Sequence, residues 1–279
     1  MDAPAKRVEV IPAKRRALIL ERIRKNGSAS ILELAEEIGA SPSTLRRDLE
    51  KLTDEGYLER THGGALLIPP LQATFEREPV LNAHLQHNQK CAIGAEAALR
   101  LNPRESVIFD SSSTVLEAVR AAASRALPLT VVTNSLDAAE LCAASPTWRV
   151  IMPGGSVRPG SRQMVGEPGE SFLKTIHADI CLIGAFAVTG MLLTDASLEV
   201  ASLKRMMIHS ARRTILLVDS SKFQAPGFCT FSDLSAIDEV ITDDGIGAEH
   251  ISSLRSAGMK LTIVPVPPAM PGSSSAGRR

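Results

Sequence analysis

The residues best suited to chemistry fall in two places. Near the start, Ser41-Pro42-Ser43-Thr44-Leu45-Arg46-Arg47 puts two adjacent arginines just inside a stretch with helical spacing. Arginine donates two parallel hydrogen bonds to guanine O6 and N7 or clamps a phosphate, and seryl and threonyl hydroxyls hold phosphate oxygens. Further on, three short β-branched runs end in hydroxyl-rich loops: Asp110-Ser111-Ser112-Ser113-Thr114, Thr133-Asn134-Ser135 and Asp219-Ser220-Ser221-Lys222. Hydroxyls, helix N-terminal amides and the Lys222 point charge suit a phosphorylated polyol or sugar. Asp110 and Asp219 would repel a phosphate, so each is assigned to sugar hydroxyls or to a structural cap. Both sets have a plainer alternative. Exposed arginines often make weak surface ion pairs, and Ser, Thr, Asn and Asp are the residues that cap the next helix.

Positioning Arg46 and Arg47 requires a small helical domain, expected over residues 12–68. Pro12 to Asn26 reads as a helix ended by Gly27. Ser30-Ile31-Leu32-Glu33 is a capping box that opens a second helix, stopped by Gly39. Ser41 then Pro42 is an N-cap followed by proline at the first helical position, and the third helix runs to Glu55. Leu45, Leu49 and Leu52 share one face of it, which leaves Ser43, Arg46, Arg47 and Glu50 on the opposite stripe. Two strands, Tyr57–Thr61 and Ala65–Ile68, joined by His62-Gly63-Gly64, complete a winged helix-turn-helix. Residues 69–80, with Pro69, Pro70 and Pro79, read as a linker, and 266–279 as a disordered tail.

The hydroxyl-rich loops need a sheet behind them. Strands are expected at Ser106–Asp110, Leu129–Thr133, Arg149–Met152, Ile180–Ala185, Thr214–Asp219, Asp238–Thr242 and Leu261–Pro265. Helical stretches at Thr114–Arg125, Leu136–Ala144, Leu198–Ala211 and Ile246–Ala257 separate most of them. Such alternation predicts a mostly parallel α/β sheet over 81–265, with a ligand outside the carboxyl ends of the strands. Pro153-Gly154-Gly155 is either a further close backbone approach or a turn.

Composition removes several function classes. The 279 residues carry 31 basic and 31 acidic side chains, which excludes a polyelectrolyte that grips nucleic acid by bulk charge. The charge is uneven: eight basic side chains face three acidic ones in the first 25 residues. One Trp, one Tyr and seven Phe argue against base-stacking platforms for single strands. Cys91, Cys142, Cys181 and Cys229 form no metal-ligand or CxxC spacing and read as free thiols of a reducing cytosol. No metal or cofactor is expected. No apolar leader follows Met1, and the run Ile180–Leu193 is too short to span a bilayer, so a cytoplasmic protein is expected.

The run Arg15, Ile19, Ile23, then Ser41 through Leu49, resembles the helix-turn-helix signature of DeoR-type bacterial transcriptional regulators, and Gly56-Tyr57-Leu58 with Thr61 through Ala65 is similar to that family's wing. Lys90-Cys91-Ala92-Ile93, Asp110–Thr114, Val132–Ser135, Pro153-Gly154-Gly155 with Val165-Gly166, Gly184-Ala185, Lys204–Met207 and Asp219–Phe223 resemble its sugar-phosphate-sensing domain. The resemblance covers roughly 12–243. It implies a fold shared with ribose-5-phosphate isomerase and CoA-transferase-like proteins. It implies double-stranded operator DNA as one partner, met by Ser41, Ser43, Thr44, Arg46, Arg47, His62 and Gly63. It implies a phosphorylated sugar effector met by Lys90, Asp110, Ser111, Ser112, Ser113, Thr114, Thr133, Asn134, Ser135, Gly154, Gly155, Lys204 and Lys222.

The chain also departs from the family pattern. Ser112 stands where the phosphate loop has glycine, and Phe186 where an aspartate is common. Glu199 lies one place early relative to Lys204. These departures predict a more apolar pocket with an altered ligand or weaker affinity. Three functions follow as expectations: a homo-oligomeric DNA-binding regulator, usually a repressor of sugar or polyol metabolism genes; an isomerase-like or transferase-like enzyme with Glu167, Asp195 or Glu199 as base; or a regulator whose α/β domain only oligomerises.

Overall fold

The structure, a computed structural model, describes residues 10–61, 64–67 and 79–266. His62, Gly63, the expected linker through residue 78 and the expected tail from residue 267 lie outside the described residues. The chain divides into two compact units after His87.

The first unit opens with α1 (Pro12–Asn26), a short strand β1 (Ser28–Ser30), α2 (Ile31–Ile38) and α3 (Pro42–Asp54). Proline starts α1 and α3, where its missing N–H is no loss. The capping box forms as the sequence predicts: Glu33 N donates to Ser30 Oγ at 3.2 Å and Ser30 N donates to Glu33 Oε2 at 2.8 Å. Then come β2 (Leu58–Thr61), β3 (Gly64–Leu67) and α4 (Pro79–His84). The expected hairpin is therefore a three-stranded antiparallel sheet in the order β1-β3-β2. Ser28-Ala29-Ser30 has no strand pattern of its own. Pairing makes it a strand, and Gly64 permits that pairing, because a Cβ there would lie 2.3 Å from Ala29 O. Ile19, Ile23, Leu34, Leu45, Leu49, Leu52 and Leu58 form a fully buried core, joined by Leu81 and Leu85. The last two fall in the segment assigned from sequence to the second domain.

The second unit contains α5 (His87–Ala98), β4 (Ser106–Phe109), α6 (Ser113–Ala123), β5 (Leu129–Thr133), α7 (Leu136–Ala143) and β6 (Trp148–Ile151). A small hairpin, β7 (Ser156–Val157) and β8 (Met164–Val165), leads to α8 (Gly169–Leu173) and β9 (Ile180–Ile183). After β10 (Ala187–Thr189) and β11 (Leu192–Asp195) come α9 (Leu198–His209), β12 (Thr214–Leu217), β13 (Cys229–Asp233), β14 (Glu239–Asp243), α10 (Ala248–Ser256) and β15 (Leu261–Val264). All seven expected strands form one parallel sheet in the order β15-β14-β12-β9-β4-β5-β6. Alternate residues of each strand serve opposite faces. Val107 and Phe109 join Ile93, Val115 and Ala138 of α5, α6 and α7. Ile108 joins Leu173, Ala201 and Leu254 of α8, α9 and α10. The short strands β7, β8, β10, β11 and β13 are not legible in the sequence. The last three make a second antiparallel sheet, β10-β11-β13.

Chain order reverses between β4 and β9: from β4 the chain first fills β5 and β6 on one side, then β9, β12, β14 and β15 on the other. At such a switch point the loops leaving neighbouring strands turn to opposite faces and leave a crevice at the carboxyl edge. The loops at Asp110–Ser112 and Gly184–Phe186 flank it.

At the opposite edge, Glu239 opens β14 with no exposure and collects Arg100 Nη2 at 2.8 Å, Arg213 Nη2 at 2.6 Å, Lys260 Nζ at 2.9 Å and Thr262 Oγ1 at 2.9 Å. Burial works against its charge, but Arg100, Lys260 and Thr262 overcome it and hold the carboxyl at about 2, below the ordinary 4.5. A lowered carboxyl contributes stability that is complete above its unfolded value and is lost as pH falls towards the folded one. Glu239→Gln removes the charge shared by Arg100, Arg213 and Lys260, of which Arg100 keeps Glu96 at 2.8 Å, and is expected to cost about 1.5–3 kcal/mol at neutral pH. It should also flatten the loss of stability below pH 4.5. Urea unfolding at several pH values measures both.

Candidate DNA-reading helix and ligand crevice

Helix α3 presents the stripe that its leucine spacing predicts. Leu45, Leu49 and Leu52 are fully buried, whereas Ser43, Arg46, Arg47 and Glu50 are exposed. Neither arginine pairs with an acid among the described residues. Asp48, between the two faces, is buried and bound by Arg15 of α1: Nε lies 2.5 Å and Nη2 3.2 Å from its carboxylate oxygens. This two-point contact sets the rotation of α3 about its axis, and with it the direction in which Arg46 and Arg47 point.

Ser41 is the N-cap, accepting from Thr44 N at 3.2 Å. Its hydroxyl also lies 2.9 Å from Ser43 Oγ and 2.8 Å from Thr44 Oγ1. The basic count of the N-terminal segment overstates the free charge. Arg15 is held by Asp48, Arg16 by Glu55 at 3.5 Å and Arg22 by Glu37 at 2.7 Å. Lys14, Arg24 and Lys25 of α1 remain exposed, as do Arg46 and Arg47. His62 and Gly63, the expected wing contacts, lie outside the described residues.

In the second unit the crevice is built around Lys204 of α9. Its ammonium is buried and donates to Asp195 Oδ2 at 2.9 Å and to Gly184 O at 3.0 Å, with Asp110 Oδ2 at 3.6 Å and the Phe231 ring centroid at 5.2 Å. Burial favours the neutral amine, but Asp195 and Asp110 outweigh it and raise the affinity for the proton. Lys204 is thus a fixed tie among the ends of β4, β9 and β11. Asp110 is equally engaged, accepting from Ser112 N at 2.8 Å and from Gly184 N at 3.0 Å.

Ser112, at the position where the family loop has glycine, has φ −74° and ψ 148°, extended backbone that any residue adopts. It carries no strain. Its hydroxyl caps α6 by accepting from Val115 N at 3.2 Å. It also fills the space above Gly184, where a Cβ would meet Ser112 Oγ at 2.5 Å.

Several expected site residues do the plainer work of capping. Thr133 Oγ1 accepts from Ser135 N at 3.2 Å and Ser135 Oγ from Ala138 N at 3.2 Å. Ser113 is half-buried and Thr114 buried at the start of α6. Ser111 Oγ donates to Gln163 Oε1 at 3.1 Å and accepts from Asn134 Nδ2 at 3.3 Å. Gly154 and Gly155 have φ of +92° and +119°, and a Cβ on Gly155 would lie 2.5 Å from Val165 O. The Pro153-Gly154-Gly155 turn is therefore a close backbone approach. Lys90 of α5 is buried. Burial disfavours the Asp219 carboxylate, but Lys222, Lys90 and hydrogen bonds from Ser221 bring it below the usual carboxylate range. The structure thus gathers Asp110, Ser111, Ser112 and Lys204 at the switch point and places Lys90 and Lys222 together at Asp219. Asn134 sits with Ser111.

Gln163 is a further crevice residue, with no sequence signal because it arrives on the β7–β8 hairpin. Asp195, noted from sequence only as a possible base, is the main partner of Lys204. Phe186 is half-buried and packs on Gly227, where a Cβ would meet its ring at 2.9 Å.

A family profile described as DeoR C terminal sensor domain matches residues 85–244, and one described as DeoR-like helix-turn-helix domain matches residues 15–70. The chain belongs to the DeoR family of transcriptional regulators. It is 30% identical to a putative aga operon transcriptional repressor of Escherichia coli O157:H7, over 94% of this chain and 98% of the relative. It is 32% identical to the L-fucose operon activator of Haemophilus influenzae, over 81% and 90% of the two chains. Among solved structures, ribose 5-phosphate isomerase A of Methanocaldococcus jannaschii matches 48% of this chain and 53% of its own at 17% identity and a TM-score of 0.37, too weak a likeness to bear on function. Among the described residues no helix is long and apolar enough to cross a membrane.

Lys204→Met, which leaves Asp110 and Asp195 buried without their cation, is expected to lower stability by roughly 3–5 kcal/mol. Lys204→Met with Asp195→Asn should recover part of that loss. Chemical denaturation of both variants checks the coupling, and equal losses in the two would show that Asp195 is not the main partner.

Proposed function

We propose that this protein is a sequence-specific DNA-binding regulator, a repressor of sugar or polyol genes, released by a phosphorylated sugar or related metabolite bound at the carboxyl edge of the parallel sheet. The observation that carries the reading is α3: its arginine pair is exposed, free of acidic partners among the described residues, and aimed by the buried Arg15–Asp48 contact. Ser43, Arg46 and Arg47 read or clamp the major groove, and Ser41 and Thr44 order the helix start against a phosphate. Repression follows the aga relative, which matches more of this chain than the fucose activator does.

The three bases that the enzyme reading offers are each engaged. The Asp195 carboxylate takes Lys204 on one oxygen, and Ala196 N and Ser197 N on the other. The hydroxyl of Ser197 holds Glu199, and hydrogen bonds from Ser171 hold Glu167, below the usual carboxylate range. A general base at neutral pH needs the opposite shift. Symmetric pairing of protomers on a two-fold operator, in the cytoplasm, completes the proposal, since one winged helix reads few base pairs.

Arg46→Ala and Arg47→Ala are each expected to weaken binding to a selected operator duplex. A base-edge contact should cost about 1–3 kcal/mol, and a phosphate contact should lower the salt slope by about 1. Fluorescence anisotropy over a salt series separates the two, and unchanged binding in both variants would sink the assignment. A screen of phosphorylated sugars against the full chain should find one that stabilises it by roughly 2–4 kcal/mol at 100 to 1,000 times its dissociation constant. No shift from any of them would favour an α/β domain that only oligomerises.

A further inference from the structure

One buried polar atom in the crevice has no partner. Asn134 follows β5 and is 2% exposed. Its Nδ2 donates to Met164 O at 3.1 Å and to Ser111 Oγ at 3.3 Å. Its Oδ1 is buried and accepts no hydrogen bond among the described residues. The amide cannot simply be turned over, because that would set its oxygen against the Met164 carbonyl, and two acceptors repel. The orphan is therefore an acceptor. Leaving such an atom dry costs about 1–3 kcal/mol, so it requires a donor.

The surroundings are built rather than accidental. Met164 N donates to Asn134 O at 2.8 Å and Leu136 N donates to Arg162 O at 2.9 Å, which latches the β7–β8 hairpin across the end of β5. Ser111 Oγ, already donating to Gln163 Oε1, has no proton left for Asn134. Among the described residues nothing supplies the missing donor. A phosphate dianion cannot supply it, having only acceptor oxygens, whereas a hydroxyl can.

We propose that Asn134 is a specificity-determining residue whose Oδ1 accepts a hydrogen bond from a hydroxyl of a polyhydroxylated effector, which places a carbinol and not the phosphate beside Asn134, Ser111 and Gln163. This rests on the effector reading above. It predicts that one hydroxyl of the effector is discriminated strongly, because its absence leaves Oδ1 unpaired again.

The test uses the full chain and calorimetric titration with ribose 5-phosphate, glucose 6-phosphate, their 2-deoxy and singly O-methylated counterparts, and inorganic phosphate. For a sugar phosphate that binds, removing or methylating one hydroxyl should weaken binding about tenfold or more in the unmodified protein. In Asn134→Ala that discrimination should fall to about twofold or less, with the response to inorganic phosphate unchanged. Asn134→Asp restores an acceptor but loses the Nδ2 bonds to Met164 and Ser111, so it should keep the discrimination despite a weaker hairpin latch. Equal loss in both variants would show that Asn134 serves only the latch and overturn the proposal. Discrimination retained in Asn134→Ala would mean that the orphan oxygen holds only a water, and would overturn it too. Failure of every probe to bind the unmodified protein would overturn the effector reading itself, and this inference with it.

Discussion

Lys204 is a positive charge held almost out of water, and it remains charged because Asp195 and Asp110 stand against it. Taking any one of the three alone into the interior would cost several kcal/mol. Together they form a tie whose members come from α9 and from the ends of β11 and β4, with the Gly184 carbonyl of β9 as a further contact. β4 and β9 are the neighbours between which the sheet changes its direction of growth. The ion cluster therefore sits at the switch point of the sheet and ties together the loops on either side.

The arrangement around it consists of satisfied groups. Asp110 accepts two amides, Ser112 caps its own helix, and Thr133 and Ser135 close their own turns. Such a frame is held by its own hydrogen bonds, which would lessen the ordering needed if the proposed effector binds. It also means that the number of hydroxyls in the loops overstates the number available to a ligand. Asn134 Oδ1 stands out because, among the described residues, it is buried without a hydrogen-bond partner.

The first unit shows the same economy with charge. The sequence is neutral overall and basic at its start, yet Arg15, Arg16 and Arg22 are turned to Asp48, Glu55 and Glu37. What remains exposed is a small set of basic residues: Arg46 and Arg47 on α3, and Lys14, Arg24 and Lys25 towards the ends of α1. A nonspecific electrostatic term scales with the number of phosphates neutralised, so this small number of exposed cations would keep it modest and, in the proposed function, give contacts from Arg46 and Arg47 more relative weight.

Local signals account for much of this protein. The capping box at Ser30, the Ser41-Pro42 start, the leucine stripe of α3 and the seven β-branched runs were legible because each depends on residues within a few positions. The exposure of Arg46 and Arg47 followed from the same periodicity. What the sequence could not decide were the partners of polar groups and the strands with no pattern of their own. β1 exists because Gly64 lets β3 approach Ala29, and β10, β11 and β13 exist because they pair with one another. The hydroxyl-rich loops were visible, but whether a given side chain caps, ties or waits for a ligand depends on atoms far away in the chain: Gln163 and Met164 for Asn134 and Ser111, Asp195 and Gly184 for Lys204. The sequence by itself determined the elements and their exposed faces, since helical and strand periodicity are short-range. Only the tertiary structure decided which charges and hydroxyls remain free, because hydrogen bonds and ion pairs are settled by proximity in space, and proximity comes from the packed sheet.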